Sequence, residues 1–444
     1  MALPNLIEIV PLTKPIRAQI TVPGSKSITN RALILAALAA GEVQLKGALW
    51  SEDTQIMVEC LHQLGFKVDV AADPDEPCNR TITVTGQGGM IPPGGTESKP
   101  LELFVGNAGT AARFLSPFLC LGQGVYRLHG VPRMHERPQA ALFQALRELG
   151  YRIESEKGND KLPAKIFAGN STGSATAPKK CRVSIEESSQ FASALFLSAE
   201  VGGWEIEVVG ENSDESPYVV MTSKLIEVFP KKGGEFQVEP DASSGSYFWA
   251  AGELFGAREG WPVQVGDWPV SNWQVDSNFI SALPLPPVLS RGHGPEGVIQ
   301  LGDSIMTAIV IAPFSVEPCK FLDLGRLRVQ ECERVVALRT ELTKCGAKVV
   351  EEGDTLTVYP AQPEELHGAE IETYNDHRMA MCFAILGLKV AGIKIKNPDC
   401  VKKTFPNFFH KLAAPAPHGL GAEIWEVKNG RRTRLLAGDD LFAD

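Results

Sequence analysis

SEDTQIMVECLHQLGFKVDV, residues 51–70, reads as an apolar helical stripe, a stop at Leu64-Gly65 and a short strand alternating apolar and polar residues. A glycine just past a helix suits the left-handed cap that other L-residues avoid. The plan recurs in HERPQAALFQALRELGYRIES (135–155) with Leu149-Gly150, and in CERVVALRTELTKCGAKVVEEG (332–353) with Cys345-Gly346. A single helix–glycine–strand segment fits any α/β protein. Three of similar length, two in the first half and one in the second, predict duplicated α/β units.

Further segments begin at a hydroxyl-bearing turn and run into a small-residue helix: VPGSKSITNRALILAALAAG (22–41), SIEESSQFASALFLSAEVGG (184–203) and EPDASSGSYFWAAGELFGA (239–257). Helix N-termini present unpaired N–H groups and the positive end of the dipole, which suits anions. A domain break falls near Glu239-Pro240, and the chain must cross into the first domain near Pro23. The expected boundaries are 24–239 for a first domain and 1–23 with 240–412 for a second, then a tail, 413–444, whose structure the sequence does not specify. Residues 258–302, rich in Pro, Gly and Trp, read as loops and short strands, and GQGGMIPPGG (86–95) reads as a loop.

A chain of 444 residues exceeds what one compact core usually holds. Its 44% apolar and 22% charged content is ordinary for a soluble globular protein. The formal net charge of −10 argues against non-specific binding to nucleic acid or anionic membrane, so any anion must be met by local Arg and Lys clusters. Nine cysteines include no C-x-x-C pair. A thiolate metal site is not expected, and a reducing cytoplasm is the expected compartment. No basic leader precedes an apolar stretch at the N-terminus, and no apolar run reaches the roughly 20 residues of a membrane span.

In this acidic chain basic residues recur at helix starts: Lys26 and Arg31, Arg113 in VGNAGTAARFL, Arg133 and Arg137 in GVPRMHERPQ, Arg328 and Arg334 in LRVQECERV, Arg378 in YNDHRMAM, and Lys402 and Lys403 in CVKKTFP. Any one of these could be a solvated surface charge. A cation at a helix start opposes the dipole, so the recurrence makes sense if anions sit among them. Guanidinium forks suit phosphate and carboxylate oxygens. Asp303, Glu331 and Asp376 stand beside these cations and could move protons. No G-x-S-x-G, H-E-x-x-H or strand-linked G-x-G-x-x-G is present, so serine hydrolysis, that zinc site and a redox dinucleotide are not implied. The expectation is a cleft between two domains that binds small polyanions.

The blocks PGSKSITNRAL, GNAGTAARFL, PRMHERP, SSQFASALFLSA, PDASS, GDSIMT, RVQECER, YNDHRMAMCF and KKTFP, in that order from residue 23 to 406, resemble the 5-enolpyruvylshikimate-3-phosphate synthase family of enolpyruvyl transferases. The resemblance implies a two-domain inverse α/β barrel with three βαβαββ repeats per domain. It implies transfer of the enolpyruvyl group of phosphoenolpyruvate to the 5-hydroxyl of shikimate 3-phosphate, without metal or organic cofactor, in a monomer whose domains close to exclude water. By the same resemblance Lys26 would touch both substrates. Shikimate 3-phosphate would be held by Lys26, Ser27, Arg31, Ser188, Ser189, Gln190, Asp303 and position 330. Phosphoenolpyruvate would be held by Lys26, Asn107, Gly109, Thr110, Arg137, Gln190, Arg334, Arg378 and Lys403. Asp303 is the candidate base for the 5-hydroxyl, and Glu331 the proton donor to the methylene carbon.

Four positions depart from the family pattern. Gln330 stands where a lysine is usual, with Arg326 or Arg328 nearby to compensate. Glu215 in SDESPY replaces a serine, with Ser216 one place over. Ala112 and Phe114 replace the usual Met and Pro, which predicts altered discrimination against glyphosate, an inhibitor of the phosphoenolpyruvate site. Gln330 and Glu215 keep a catalytically impaired anion-binding homologue as an alternative. The sister transferase acting on UDP-N-acetylglucosamine places a cysteine in the loop matching PRMHERP, and none is there.

Overall fold

The computed structural model describes residues 3–14, 16–169, 179–210, 217–256 and 262–443. The chain forms two compact units, Gly24–Glu239 (the first unit) and Met1–Pro23 with Pro240–Asp444 (the second). Glu215 and Ser216 lie outside the described residues.

The first unit carries helices α1 (Lys26–Leu38), α2 (Glu52–Gln63), α3 (Gly109–Cys120), α4 (Ala140–Glu148), α5 (Gln190–Gly202) and α6 (Pro217–Val228). Two of its sheets share one order. Gly234–Gln237, Glu42–Leu49, Asn79–Thr85 and Lys67–Ala72 form one; Leu101–Phe104, Gly124–His129, Ala164–Ala168 and Arg152–Ser155 form the other. In each, the first two strands are parallel and the rest antiparallel. The third sheet pairs Lys179–Ser184 with Trp204–Val209 in parallel and has no further strand among the described residues. The strand that would extend its repeat, Gly234–Gln237, pairs instead with Glu42–Leu49, so the βαβαββ plan closes around the unit.

The second unit carries α7 (Ala242–Leu254), α8 (Ile305–Ile311), α9 (Arg334–Lys344), α10 (His377–Gly387) and α11 (Phe408–Ala413). Val288–Ser290, Cys319–Leu322, Thr355–Val358 and Val349–Glu352 repeat the strand order of the first unit. A five-stranded sheet runs Glu370–Ile371, Lys394–Lys396, Leu6–Ile9, Ile424–Lys428 and Arg431–Leu435. The stretch after 413, expected as a tail, is therefore an integral part of this unit, with Leu6–Ile9 pinned between it and Lys394–Lys396. Among the described residues Ala18–Ile20 pairs only with Val263–Val265. No hairpin completes that repeat among the described residues, because Val275–Ala282 winds into a 3-10 helix.

The repeated glycines explain the shared plan. Gly65, Gly150 and Gly346 have φ of +91°, +89° and +88°, each following a half-buried amphipathic helix. The other helices behave differently. α1, α3 and α5 touch one another, as do α7, α8 and α10. Every residue of α3 and all but Lys26 and Ser27 of α1 are buried. A helix apolar on all sides belongs in a core. Each unit thus wraps its sheets around a bundle of three small-residue helices.

Candidate active site

The N-terminal turns of each three-helix bundle meet at one end. In the first unit Asn30 of α1 donates to Thr110 Oγ1 of α3 at 3.1 Å, Arg113 of α3 donates to Gln190 Oε1 of α5 at 2.7 Å, and Arg31 of α1 reaches Ser193 of α5 at 3.1 Å. In contrast to α2, which opens with a Ser51–Thr54 capping box and two acids, α1, α3 and α5 have neither a side-chain cap nor a first-turn acid. Their positive ends are left for something else.

Arg31 is buried and makes only neutral contacts. Nε donates to Thr222 Oγ1 at 2.7 Å, Nη1 to the Ser27 carbonyl at 2.8 Å, and Cζ lies 5.1 Å from the Phe114 ring centroid. Burial outweighs the Tyr218 interaction and draws its pKa down to about 10. Arg137 is likewise buried, with Nη1 on the Asn107 carbonyl at 3.1 Å. A Cβ added at Gly109 would lie 2.6 Å from Arg137 Nη2, so the guanidinium rests on the helix start that glycine leaves bare. Among the described residues neither arginine has a carboxylate within 4.0 Å. Lys26 pairs with the buried Asp53 at 3.3 Å. Ser188 and Ser189 lead into α5, which begins at Gln190, and Ser188 Oγ accepts from the Gln190 N–H at 3.3 Å. These residues, expected from the sequence to hold anions, therefore surround three open helix starts.

The second unit has a different character, because its cations are paired. Arg334, 1% exposed, holds Asp376 through Nε at 2.7 Å and Nη2 at 3.2 Å, and Glu331 through Nη2 at 2.8 Å. Lys403 Nζ takes the other Glu331 oxygen at 3.3 Å. Asp303 receives Arg291 Nη2 at 2.8 Å and faces Arg378 Nη2 at 3.4 Å and Arg334 Nη1 at 4.0 Å. Burial alone would raise the Asp303 pKa, but Arg378, Arg291 and Arg334 outweigh it and hold the carboxyl well below the usual range. Asp303, Gln330, Glu331, Arg334, Arg378 and Lys403 thus form one bonded network. Strain helps place it: Tyr374 and Asn375, both at φ +55°, precede Asp376, and the Tyr374 hydroxyl anchors on Glu341 at 2.8 Å.

Gln330 does not act as a replacement cation; its amide oxygen accepts from Arg334 Nη1. Of Arg326 and Arg328, the two arginines expected to compensate, Arg328 is engaged by Glu333, Glu351 and Asp354. Two residues escaped the sequence reading. Arg291 is the cation closest to Asp303. Asp276 is buried, accepting from the Ser304 N–H at 2.6 Å and the Ser243 hydroxyl at 2.9 Å. Burial, with Asp303 adding to it, pushes its pKa up to about 6. Both residues lie in 258–302, Asp276 in the first turn of the 3-10 helix Val275–Ala282 and Arg291 just after the strand Val288–Ser290. Among the described residues no group of three or more His, Cys, Asp or Glu is arranged to hold a metal ion, and no helix is long and apolar enough to cross a membrane.

Residues 10–232 and 291–412 match the family described as EPSP synthase (3-phosphoshikimate 1-carboxyvinyltransferase). The 3-phosphoshikimate 1-carboxyvinyltransferase of Trichormus variabilis is 37% identical over 442 residues, covering 92% of this chain and 98% of its own. That of Opitutus terrae is 37% identical over 443 residues, covering 93% and 98%. Among solved structures, EPSP synthase from Acinetobacter baumannii superposes with a TM-score of 0.72 at 22% identity, covering 94% of this chain and 99% of that one, a likeness that speaks for the fold.

Proposed function

The chain belongs to the EPSP synthase family, and from that premise we propose that it transfers the enolpyruvyl group of phosphoenolpyruvate to the 5-hydroxyl of shikimate 3-phosphate, releasing phosphate. It has the enolpyruvyl transferase fold, two units of repeated α/β segments. The observation that carries the reading is the bonded network of the second unit, in which two carboxylates, Asp303 and Glu331, are interleaved with Arg334, Arg378 and Lys403.

Roles divide by unit. In the first, Lys26, Ser27, Arg31, Ser188, Ser189 and Gln190 hold shikimate 3-phosphate, and Lys26, Asn107, Gly109, Thr110, Arg137 and Gln190 meet phosphoenolpyruvate. Buried Arg31 and Arg137 without carboxylates, beside uncapped helix starts, support this. In the second, Arg334, Arg378 and Lys403 take the phosphate and carboxylate of phosphoenolpyruvate. Gln330 touches shikimate 3-phosphate only through a neutral amide.

The chemistry is addition followed by elimination. Glu331 delivers a proton to the methylene carbon, which makes the neighbouring carbon electrophilic. The 5-hydroxyl adds there as its proton passes to Asp303, and the tetrahedral adduct then loses phosphate, which takes the proton from Asp303, while the methyl group returns a proton to Glu331. An anion arriving at Arg334 and Lys403 draws those cations from Glu331, freeing it to carry the proton. Asp303, so strongly favoured as an anion by three arginines, is a good hydrogen-bond acceptor and a weak base until phosphoenolpyruvate neutralises Arg334 and Arg378. Positioning both reactants can supply roughly 7–11 kcal/mol of the barrier.

We place the protein in the cytoplasm as a monomer; nine free cysteines support a reducing compartment, and the net charge of −10 argues against nucleic-acid or anionic-membrane partners. The test is phosphate release with both substrates present. Turnover is expected. Tight binding of shikimate 3-phosphate without turnover would overturn the reading in favour of an impaired anion-binding homologue, and turnover with UDP-N-acetylglucosamine in its place would point to the sister activity.

A further inference from the structure

We propose that Asp276 is a positioning residue for Arg378, acting through the hydroxyl of Ser243. Arg378 Nη1 donates to Ser243 Oγ at 2.6 Å, and Ser243 Oγ donates its own proton to Asp276 Oδ1 at 2.9 Å. A serine hydroxyl has one proton and two lone pairs. With the proton committed to Asp276, only lone pairs face the guanidinium. Asp276 is itself fixed, because the Ser304 N–H donates to the same oxygen at 2.6 Å.

The approach is built into the backbone. Gly302 sits at φ +57°, and a Cβ there would lie 2.6 Å from Val275 Cγ1 and 2.7 Å from Asp276 Oδ2. Both Ser243 and Asp276 are buried, so water does not substitute for either link. Arg378 is thereby held from two sides, by Asp303 at 3.4 Å and by this relay. The three groups come from separate segments, the first turn of α7, the 3-10 helix Val275–Ala282 and the first turn of α10.

The inference rests on the reading that Arg378 holds phosphoenolpyruvate. Removing the acceptor lets the Ser243 proton swing toward the guanidinium. Asp276→Ala should therefore raise the KM for phosphoenolpyruvate about three- to tenfold, the loss of one hydrogen bond's worth of orientation. The KM for shikimate 3-phosphate and kcat should stay within about twofold. Asp276→Asn, whose amide oxygen can still accept, should restore the wild-type value. Ser243→Ala should match Asp276→Ala, Ser243→Thr should restore, and the Asp276→Ala/Ser243→Ala pair should be no worse than Ser243→Ala alone. Additive losses in the pair, no restoration by Asn and Thr, or equal rises in both KM values would overturn the relay. Should Asp276→Ala fail to fold, the two Ser243 variants decide alone. Arg378→Met is the separate control: an unchanged KM for phosphoenolpyruvate there removes the reading itself, whatever the relay variants do.

Discussion

The guanidinium of Arg31 lies 5.1 Å from the ring centroid of Phe114, both of them buried in the bundle of the first unit. No carboxylate among the described residues balances that charge, so the ring face carries part of the burden. Phe114 stands where the family usually has proline, and the contact gives this departure a purpose. Phe114→Leu should weaken shikimate 3-phosphate binding about two- to thirtyfold, the range of a cation–π contact of ~0.5–2 kcal/mol. Calorimetric titration of the two proteins decides it, and equal affinities would sink the idea. Phe114→Pro should also change the glyphosate inhibition constant, because Phe114 shares α3 with Gly109.

Gly109→Ala should act on phosphoenolpyruvate. The new methyl group would meet Arg137 Nη2 at 2.6 Å. The far end of a flexible side chain can move, so the fold should survive with a near-normal melting temperature. Arg137 would leave the start of α3, and the KM for phosphoenolpyruvate should rise at least tenfold with little change for shikimate 3-phosphate. Steady-state kinetics against each substrate in turn read this split.

Glu331→Gln should lose about 10²–10⁴-fold in kcat while still binding both substrates, the usual contribution of a proton-transfer group. Lys403→Ala should mainly raise the KM for phosphoenolpyruvate. Near-normal turnover in Glu331→Gln would remove Glu331 from its role as proton donor.

Gln330→Lys is the change toward the family pattern, and here it should do harm. The amide oxygen of Gln330 accepts from Arg334 Nη1. A lysine would set an ammonium group against that guanidinium and push it off Asp376 and Glu331. The KM for phosphoenolpyruvate should rise severalfold; a fall in either KM would show that Arg334 tolerates the second cation.

Asp276 should leave a mark on stability as well. Its pKa moves from 3.8 to about 6 on folding, chiefly through burial. The folded protein therefore holds this proton more tightly than the unfolded chain, and stability from this group falls as pH rises from about 4 to about 6. A rise of that size corresponds to about 3 kcal/mol. Asp276→Asn should be more stable than wild type by up to that amount at pH 8, with the gap closing toward pH 4. Urea unfolding of both proteins at several pH values tests the slope, and a pH-independent gap would refute it.

Much of this was legible in the chain because it is local. A glycine after an amphipathic helix marks its own cap, so Leu64-Gly65, Leu149-Gly150 and Cys345-Gly346 announce their turns without reference to the rest of the fold. Cations at helix starts are legible for the same reason. What stayed hidden depends on distant partners. The strands Ile424–Lys428 and Arg431–Leu435 make sense only beside Leu6–Ile9, at the far end of the chain. Asp276 and Arg291 sit in a stretch of three-residue strands around a 3-10 helix, which shows neither the strand nor the α-helix period. The occupation of Arg328 by three carboxylates is a tertiary fact that no spacing encodes.

The central place of Leu6–Ile9 has a consequence for biogenesis. This strand leaves the ribosome long before Lys394–Lys396 and Ile424–Lys428, between which it must settle. At 5–20 residues per second the wait is roughly 20–80 s. During that interval Gly24–Glu239, contiguous in sequence, can fold cotranslationally, while the strand made before it waits with two unsatisfied edges. Chaperone dependence of the nascent polypeptide should therefore trace to the strand Leu6–Ile9, and a circular permutant that begins at Gly24 and makes this strand after Ile424–Lys428 should shed it.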